Sequence, residues 1–563
     1  MPTAQKSKSG KSVKSAPVKK VEKPSKVVKA TKSPKVAPRP APVVVVAKAK
    51  KSAPVKVVPA PVIEVKTKAT KSKEVNTKVV KTKGKQPQIK YVPSSKTVHY
   101  TAPVAPAPAV KLDPFGKAVE FLTQATDYER MRVVRYNTTT FSLDRMRKLL
   151  KLLDDPHTKF KTVHVAGTKG KGSVCHMLAA MLQGGGLKVG LYTSPHVTDI
   201  RERIILNGAM ITPDEFTEHA KKVEAIYKKM ADDRPTFFEL VTAMAFDYFA
   251  HQKVDIAVIE VGLGGRLDST NVIIPEVSAI TSISKDHMAI LGPTLVKIAE
   301  EKAGIIKKEI PVVTIAQTPE VEQVFQKVAA ANKTTLNIVG RDLEFSYRFE
   351  AGRLHAPMIR VSLLTEHSKF EHIPVPLFGE HQALNLGLVM AVVDKLKQRG
   401  FVIDEVKACE ALSRVYIPGR MEMVNQDPRV LVDGAHNASS LQALFRAVGQ
   451  HIPYDSMVVI FGCNCDKDID GMLEQLQLGA DKVIFTRSKD NPKSAMPDEM
   501  ANLYIERYGK MAQVATTLTE ALSIARRAIS REDLITVTGS FYLVGDVKEH
   551  FRKRVGLAAW QPN

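Results

Sequence analysis

The sequence predicts an α/β protein of two unequal domains behind a basic leader: a parallel sheet wound with helices over 112–413, then a smaller Rossmann-like α/β domain over 414–563. Three observations predict it. From Asp113 onward, short apolar runs with β character alternate with amphipathic helical stretches, the pattern of strands joined by crossover helices. The early β runs close on glycine or polar clusters, and in parallel sheets ligands gather beyond those carboxyl ends. The composition also breaks sharply near residue 111, from Lys, Ala, Pro, Val, Ser and Thr to an ordinary globular mixture.

The leader holds most of the charge. Residues 1–110 contain 25 Lys and one Arg against Glu22, Glu64 and Glu74, which is +23 of the chain's formal +25. Recurring proline and dispersed lysine prevent a core, so 1–111 is expected to be a disordered basic tail. Its two readings are a solubilising leader and a polycation that binds nucleic acid or anionic surfaces through counterion release. Without interleaved aromatics any such binding is nonspecific. The remaining chain is close to neutral, which removes the nucleic-acid inference from the globular part.

Helical patterning runs through Phe115–Gln124 and Leu143–Leu153. The first β run, Thr162–Ala166, leads into Gly167-Thr168-Lys169-Gly170-Lys171-Gly172-Ser173 and then an apolar-periodic helix start. Strand, glycine-rich turn and helix in that order form a phosphate-binding device: backbone N–H groups and the helix N-terminus meet phosphate oxygens, and Lys171 adds a full charge. A hydroxyl at Ser173 or Thr168 could meet a magnesium ion. The spacing departs from the common P-loop, since Gly172 separates Lys171 from Ser173. The fold expected for 112–413 is therefore a P-loop parallel-sheet ATPase.

Further β runs end in turn on Thr193-Ser194-Pro195-His196, on Glu260 with Gly262–Arg266, and on Ser284-Lys285-Asp286-His287. Asp214–Lys229 and Phe238–Phe249 read as helices between them. Glu260 ends an otherwise apolar strand, and a buried carboxylate is costly unless paired or bound to metal. Opposite a phosphate loop it fits a magnesium ligand; the plainer alternative is a core salt bridge to Arg266. His287 reads as a ligand on the neighbouring strand end. After the turn Pro418-Gly419-Arg420 a second β series begins at Val430–Val432, runs into Asp433-Gly434-Ala435-His436-Asn437, and continues through Met457–Phe461, Lys482–Phe485 and Leu534–Val537.

Four cysteines in 563 residues exclude a disulfide framework and point to a reducing compartment, with the cytoplasm expected. Cys463-Asn464-Cys465 lacks a second cluster, which favours packed thiols over a metal site. No apolar run approaches the ~20 residues of a membrane span.

Taken in order, these segments resemble the folylpolyglutamate synthase/dihydrofolate synthase family of the Mur ligase superfamily. The resemblance rests on GTKGKGS at Gly167–Ser173, TSPH at Thr193–His196, RERI at Arg201–Ile204 and EVGLGGRLDSTN at Glu260–Asn271. It continues through DHMAILG at Asp286–Gly292, EKAGIIK at Glu301–Lys307, HQALN at His381–Asn385, PGRME at Pro418–Glu422, DGAHN at Asp433–Asn437 and TGSFYLVG at Thr538–Gly545. It implies ATP-dependent ligation of L-glutamate to a folate or dihydropteroate carboxylate through an acyl phosphate, in a monomer. The implied cofactors are ATP and Mg2+, with a monovalent cation left open. By the same resemblance Lys171 grips the ATP phosphates, and Ser194, Glu260, His287 and a carbamylated Lys302 hold magnesium. Asn385, Arg420, Asp433 and His436 contact ATP from the hinge and second domain. Read without the family, Lys302 is an exposed helix lysine. Lys169 replaces the family's usual asparagine in the loop. A cell-wall Mur-type ligase is disfavoured because Lys111–Val165 is too short for a UDP-binding domain; the other alternative is a ligase relic with a nucleic-acid-binding tail. Dihydropteroate and tetrahydrofolate remain equal candidates for the acceptor.

Overall fold

The computed structural model describes residues 112–555, apart from 130, 132–140, 351–357 and 490. The leader expected over 1–111 lies outside the described residues. The chain divides into Met1–Pro103 and Val104–Asn563, and every described residue belongs to the second unit.

Eight strands build the first sheet: β1 Lys161–Ala166, β2 Val189–Tyr192, β3 Ile204–Leu206, β4 Ala209–Met210, β5 Ile256–Glu260, β6 Val277–Ile280, β7 Val312–Ile315 and β8 Leu336–Val339. Their spatial order is β4-β3-β2-β5-β1-β6-β7-β8, parallel from β2 to β8 with β3 and β4 antiparallel at one edge. The alternation along β5 shows why this run is apolar throughout. Ile256 and Val258 pack on one face with helices Lys171–Gly184 and Glu380–Gln398. Ala257 and Ile259 pack on the other with Pro114–Gln124, Leu143–Leu152, Pro213–Lys229 and Phe237–His251. Strands covered on both faces have no solvent side to keep polar.

The flanking helices start where their sequences supply caps. Thr212 with Glu215 and Thr236 with Glu239 form reciprocal capping boxes ahead of Pro213–Lys229 and Phe237–His251. Glu239 has a second task. Both its oxygens accept from Nε of buried Arg145, at 2.8 and 3.1 Å, which pins helix Leu143–Leu152 to Phe237–His251. Arg145→Ala strands that carboxylate, and we expect a loss of about 3–5 kcal/mol in chemical denaturation. An Arg145→Ala/Glu239→Gln double variant should recover part of it.

A three-stranded antiparallel sheet, β9 Glu344–Glu350, β10 Met358–Leu364 and β11 Lys369–Pro374, follows. It was not among the expectations, although Phe345, Tyr347 and Phe349 alternate with polar residues along β9; two of these aromatics, Tyr347 and Phe349, are exposed. A six-stranded sheet forms the second lobe: β12 Glu422–Gln426, β13 Arg429–Val432, β14 Met457–Phe461, β15 Lys482–Phe485, β16 Ala512–Val514 and β17 Leu534–Thr538, in order β12-β13-β17-β14-β15-β16. It is parallel except for β12.

Candidate active site

β2, β5, β1 and β6 are neighbours, so the four loops singled out by their side chains leave the sheet side by side at the same edge. Strand spacing of about 4.8 Å brings residues separated by more than a hundred positions into one site. The second lobe faces that edge with Arg420, Asp433 and His436. Together they line a cleft of about 2060 Å³.

The phosphate loop is seated by two glycines that tolerate no side chain. Gly167 has φ 147°, and a Cβ there would lie 1.7 Å from Thr281 Oγ1; Gly170 has φ 85°, and its Cβ would lie 2.5 Å from Asn385 Oδ1. Thr168 N–H donates to the Ser282 carbonyl (2.9 Å), and the Thr168 hydroxyl both donates to Ser284 O and accepts from Ser284 N (3.2 Å each). That hydroxyl is therefore committed to the loop after β6, which leaves Ser173 as the better candidate toward a metal. Ser173 Oγ accepts from Gln382 Nε2 at 3.3 Å, and Gln382 Oε1 accepts from Asn385 Nδ2 at 2.8 Å. Helix Lys171–Gly184 begins with Gly170 at its N-cap and no side-chain cap, so its first-turn N–H groups are left for a ligand.

Glu260 is 4% exposed and faces this loop: a Cβ on Gly172 would sit 3.8 Å from its Oε2. Oε2 accepts from Ser194 N–H at 3.1 Å. Burial raises its pKa, while Lys171, the Ser194 N–H and Arg420 oppose that rise. Arg266, the core partner considered above, instead pairs with Glu301 at 2.8 Å. Lys302, in helix Leu295–Ala303, is also 4% exposed, contrary to the exposed-helix reading, because its helix packs against the Gly265–Arg266 turn. Its Nζ donates to Gly167 O at 2.8 Å. Burial, with help from Lys171, lowers its pKa to about 7. His287 adopts a left-handed backbone, φ 49°, at the start of a short helix.

Across the cleft, the Arg420 guanidinium stacks 4.6 Å from the Phe541 ring. Asp433 accepts from Met421 N (2.9 Å) and Ala435 N (2.8 Å), and burial raises its pKa against the pull of Arg420. His436 Nδ1 bonds Gly434 O at 2.7 Å, which turns Nε2 toward Asp286, 3.7 Å away.

Comparison with known proteins matches residues 165–393 to the Mur ligase middle domain and 419–541 to the Mur ligase glutamate ligase domain. The chain is 34% identical over 415 residues to the dihydrofolate synthase/folylpolyglutamate synthase of Bacillus subtilis, covering 73% of this chain and 95% of that protein. It belongs to the folylpolyglutamate synthase/dihydrofolate synthase family. Among solved structures, a Mycobacterium tuberculosis folylpolyglutamate synthase complexed with ADP superposes with a TM-score of 0.70 at 29% identity, over 80% of this chain and 99% of that one. An FPGS–AMPPCP–folate complex superposes at 0.66 and 28%, over 77% and 99%.

Within this family member the residues singled out in sequence converge on one cleft: Gly167–Ser173, Ser194, Glu260, His287, Lys302, Asn385, Arg420, Asp433 and His436 all line it. Cys463 is buried and Cys465 is exposed. Cys463 Sγ lies 3.6 Å from Met500 Sδ, and no cluster of three potential His, Cys, Asp or Glu ligands occurs among the described residues.

Several polar groups at the cleft were given no role by sequence reasoning. Asp286 is the hub of the cleft: burial alone would raise its carboxyl, yet His436, His287 and Lys467 hold it far below the ordinary carboxylate range. Arg203 donates to both Glu129 oxygens (3.1 and 2.6 Å) and to His196 Nδ1 (2.8 Å). Where the chain enters the six-stranded sheet, Lys548 Nζ donates to Glu422 Oε2 (2.8 Å) and Tyr416 Oη (2.9 Å), and Tyr416 donates to Glu422 Oε1 (2.6 Å). Arg203, Glu422, Asp286 and His196 fall within the quoted segments RERI, PGRME, DHMAILG and TSPH, but nothing local marks how they pair.

Proposed function

We propose that this protein is an ATP- and Mg2+-dependent ligase that joins L-glutamate to the carboxylate of a folate or of dihydropteroate. The observation that carries this reading is the meeting, in one cleft, of an uncapped phosphate-loop helix after β1, a buried carboxylate ending the adjacent β5 and a buried lysine from helix Leu295–Ala303. Family membership and the complexes of relatives with ADP, AMPPCP and folate support it.

In this reading a substrate carboxylate oxygen attacks the γ-phosphorus of ATP, the bond to the β-phosphate oxygen breaks, and ADP leaves. The glutamate amine then adds to the acyl-phosphate carbonyl, loses a proton and expels phosphate. No protein nucleophile is needed, so the residues act by orientation and charge. Lys171 and the first-turn N–H groups hold the phosphates; Arg420, Asp433, His436 and Asn385 place the nucleotide between the lobes.

The donor set fits magnesium, a hard cation that takes one or two carboxylates and completes its shell with phosphate and water. Glu260, Ser194 and His287 would hold it, with Lys302 as the further ligand once carbamylated. Bound there, magnesium would neutralise charge building on the phosphate oxygens. With its pKa lowered to about 7, Lys302 has a sizeable neutral fraction near neutral pH, and its neutral nitrogen can add to CO2, releasing a proton and becoming a carboxylate. A division into 112–413 and 414–563 belongs to this proposal, with the segment 415–421 as hinge. So does action as a monomer, since one chain supplies every group named. No described helix is long and apolar enough to cross a membrane, and the four cysteines are free, which supports a reducing compartment such as the cytoplasm.

The test is phosphate release from ATP with L-glutamate and Mg2+, comparing 7,8-dihydropteroate with tetrahydrofolate. We expect release with at least one acceptor; release with both assigns a bifunctional enzyme. A folded protein that releases phosphate with neither refutes the proposal.

A further inference from the structure

Two loops of the second lobe are tied into one unit. Following β14, Cys463 O accepts from Ala495 N (2.9 Å) and Cys465 N donates to Lys493 O (2.8 Å). Asn491 Nδ2 donates to Asn464 Oδ1 at 2.7 Å, and Asn491 Oδ1 accepts from Lys493 N at 3.0 Å. From this unit two lysines cross to the first lobe. Lys467 Nζ donates to Asp286 Oδ1 at 2.9 Å, in a pair whose side chains are each 9% exposed. Lys493, 8% exposed, donates from Nζ to the backbone oxygen of Glu129 at 2.6 Å.

The prongs land at different places. Asp286 adjoins His287 and faces His436, on the nucleotide and metal side. Glu129 lies beside Tyr128, whose ring is 5.3 Å from Phe141, and this aromatic pair lines the same cleft. Glu129 is also tied through Arg203 to His196 in the Ser194 loop. Buried ammonium groups are costly unless their partners are in place. Each prong is therefore stable only where its own first-lobe partner is presented, so the tied unit aligns the two sides of the cleft at two separate points.

We infer that Lys467 and Lys493 are positioning residues, a two-pronged clamp by which the second lobe sets the nucleotide side and the acceptor side of the cleft together. The assignment of the two sides rests on the proposed function; the clamp itself rests on the contacts above.

Two measurements test it on the full chain. In steady-state kinetics Lys467→Met raises KM for ATP about tenfold with KM for the pteroyl acceptor within twofold of wild type, and Lys493→Met does the reverse. Wild-type KM values in both variants, or parallel rises in both substrates in each, overturn the inference. The second measurement needs no variant and no turnover: hydrogen exchange of the wild-type protein with and without AMPPCP. Nucleotide alone is expected to protect 463–467 and 491–495 together, and protection of one loop without the other overturns the clamp. A wild type that binds AMPPCP with joint protection but ligates no glutamate refutes the proposed function and leaves the clamp standing.

Discussion

Glu260→Ala is expected to yield a folded protein that releases phosphate about a thousandfold more slowly than wild type, or slower. The carboxylate is the last residue of β5, buried, and held in the cleft by one backbone N–H from Ser194. No lysine or arginine forms an ion pair with it among the described residues, so its role is not a core salt bridge. Removing a group that stabilises transition-state charge in a water-poor site costs about 10²–10³ in rate, and losing a metal ligand adds to that. Stability should move the other way. Burial raises the Glu260 pKa, which means its ionised form is strained in the folded state; alanine removes the strain, and thermal melting should be unchanged or higher. A variant with wild-type turnover would remove Glu260 from the chemistry. A variant that is inactive because it is unfolded would show the residue to be structural.

Lys302→Ala is the second large effect: turnover falls at least a hundredfold and is partly restored by short carboxylic acids such as acetate, which can occupy the place of the missing carbamate. Wild-type protein equilibrated with isotope-labelled bicarbonate should show a carbamate signal that the variant lacks. Absence of both rescue and signal would leave Lys302 as a cationic group bonded to Gly167 O. Its titration gives an independent readout. The folded pKa of about 7 lies below the ordinary 10.5, so between those values the unfolded chain binds the proton and the folded chain does not. Stability from this group therefore rises with pH across that window. In CO2-free buffer, the stability advantage of Lys302→Met over wild type should shrink as pH rises from about 7 to about 10.

How much of this was legible in the chain depends on range. Strands β1, β2, β5 and β14 were readable because an apolar run and the turn that ends it lie within ten residues. The phosphate loop was readable for the same reason: Gly167, Gly170 and Lys171 are neighbours, and their chemistry is local. The family resemblance then supplied roles for Lys302, Asn385 and Arg420 that no local pattern suggests. Lys302 illustrates the limit, since its helix spacing alone allows an exposed lysine, and only packing against Gly265 and Arg266 buries it.

The sequence by itself determined the α/β class, the main strands β1, β2, β5, β6, β13, β14, β15 and β17 in their order along the chain, and which of the early strand ends bear polar side chains. Periodicity and turn chemistry act over a few residues, so they are written in the local string. Tertiary structure alone decided that β2, β5, β1 and β6 lie side by side, that Asp286 is shared by His436 and Lys467, and that Lys493 reaches Glu129 across 364 positions. Strand order in a parallel sheet is set by how crossover helices pack on its faces. Whether a charged side chain is buried is set by partners that arrive from elsewhere in the chain. Neither quantity has a local signature, and the cleft depends on both.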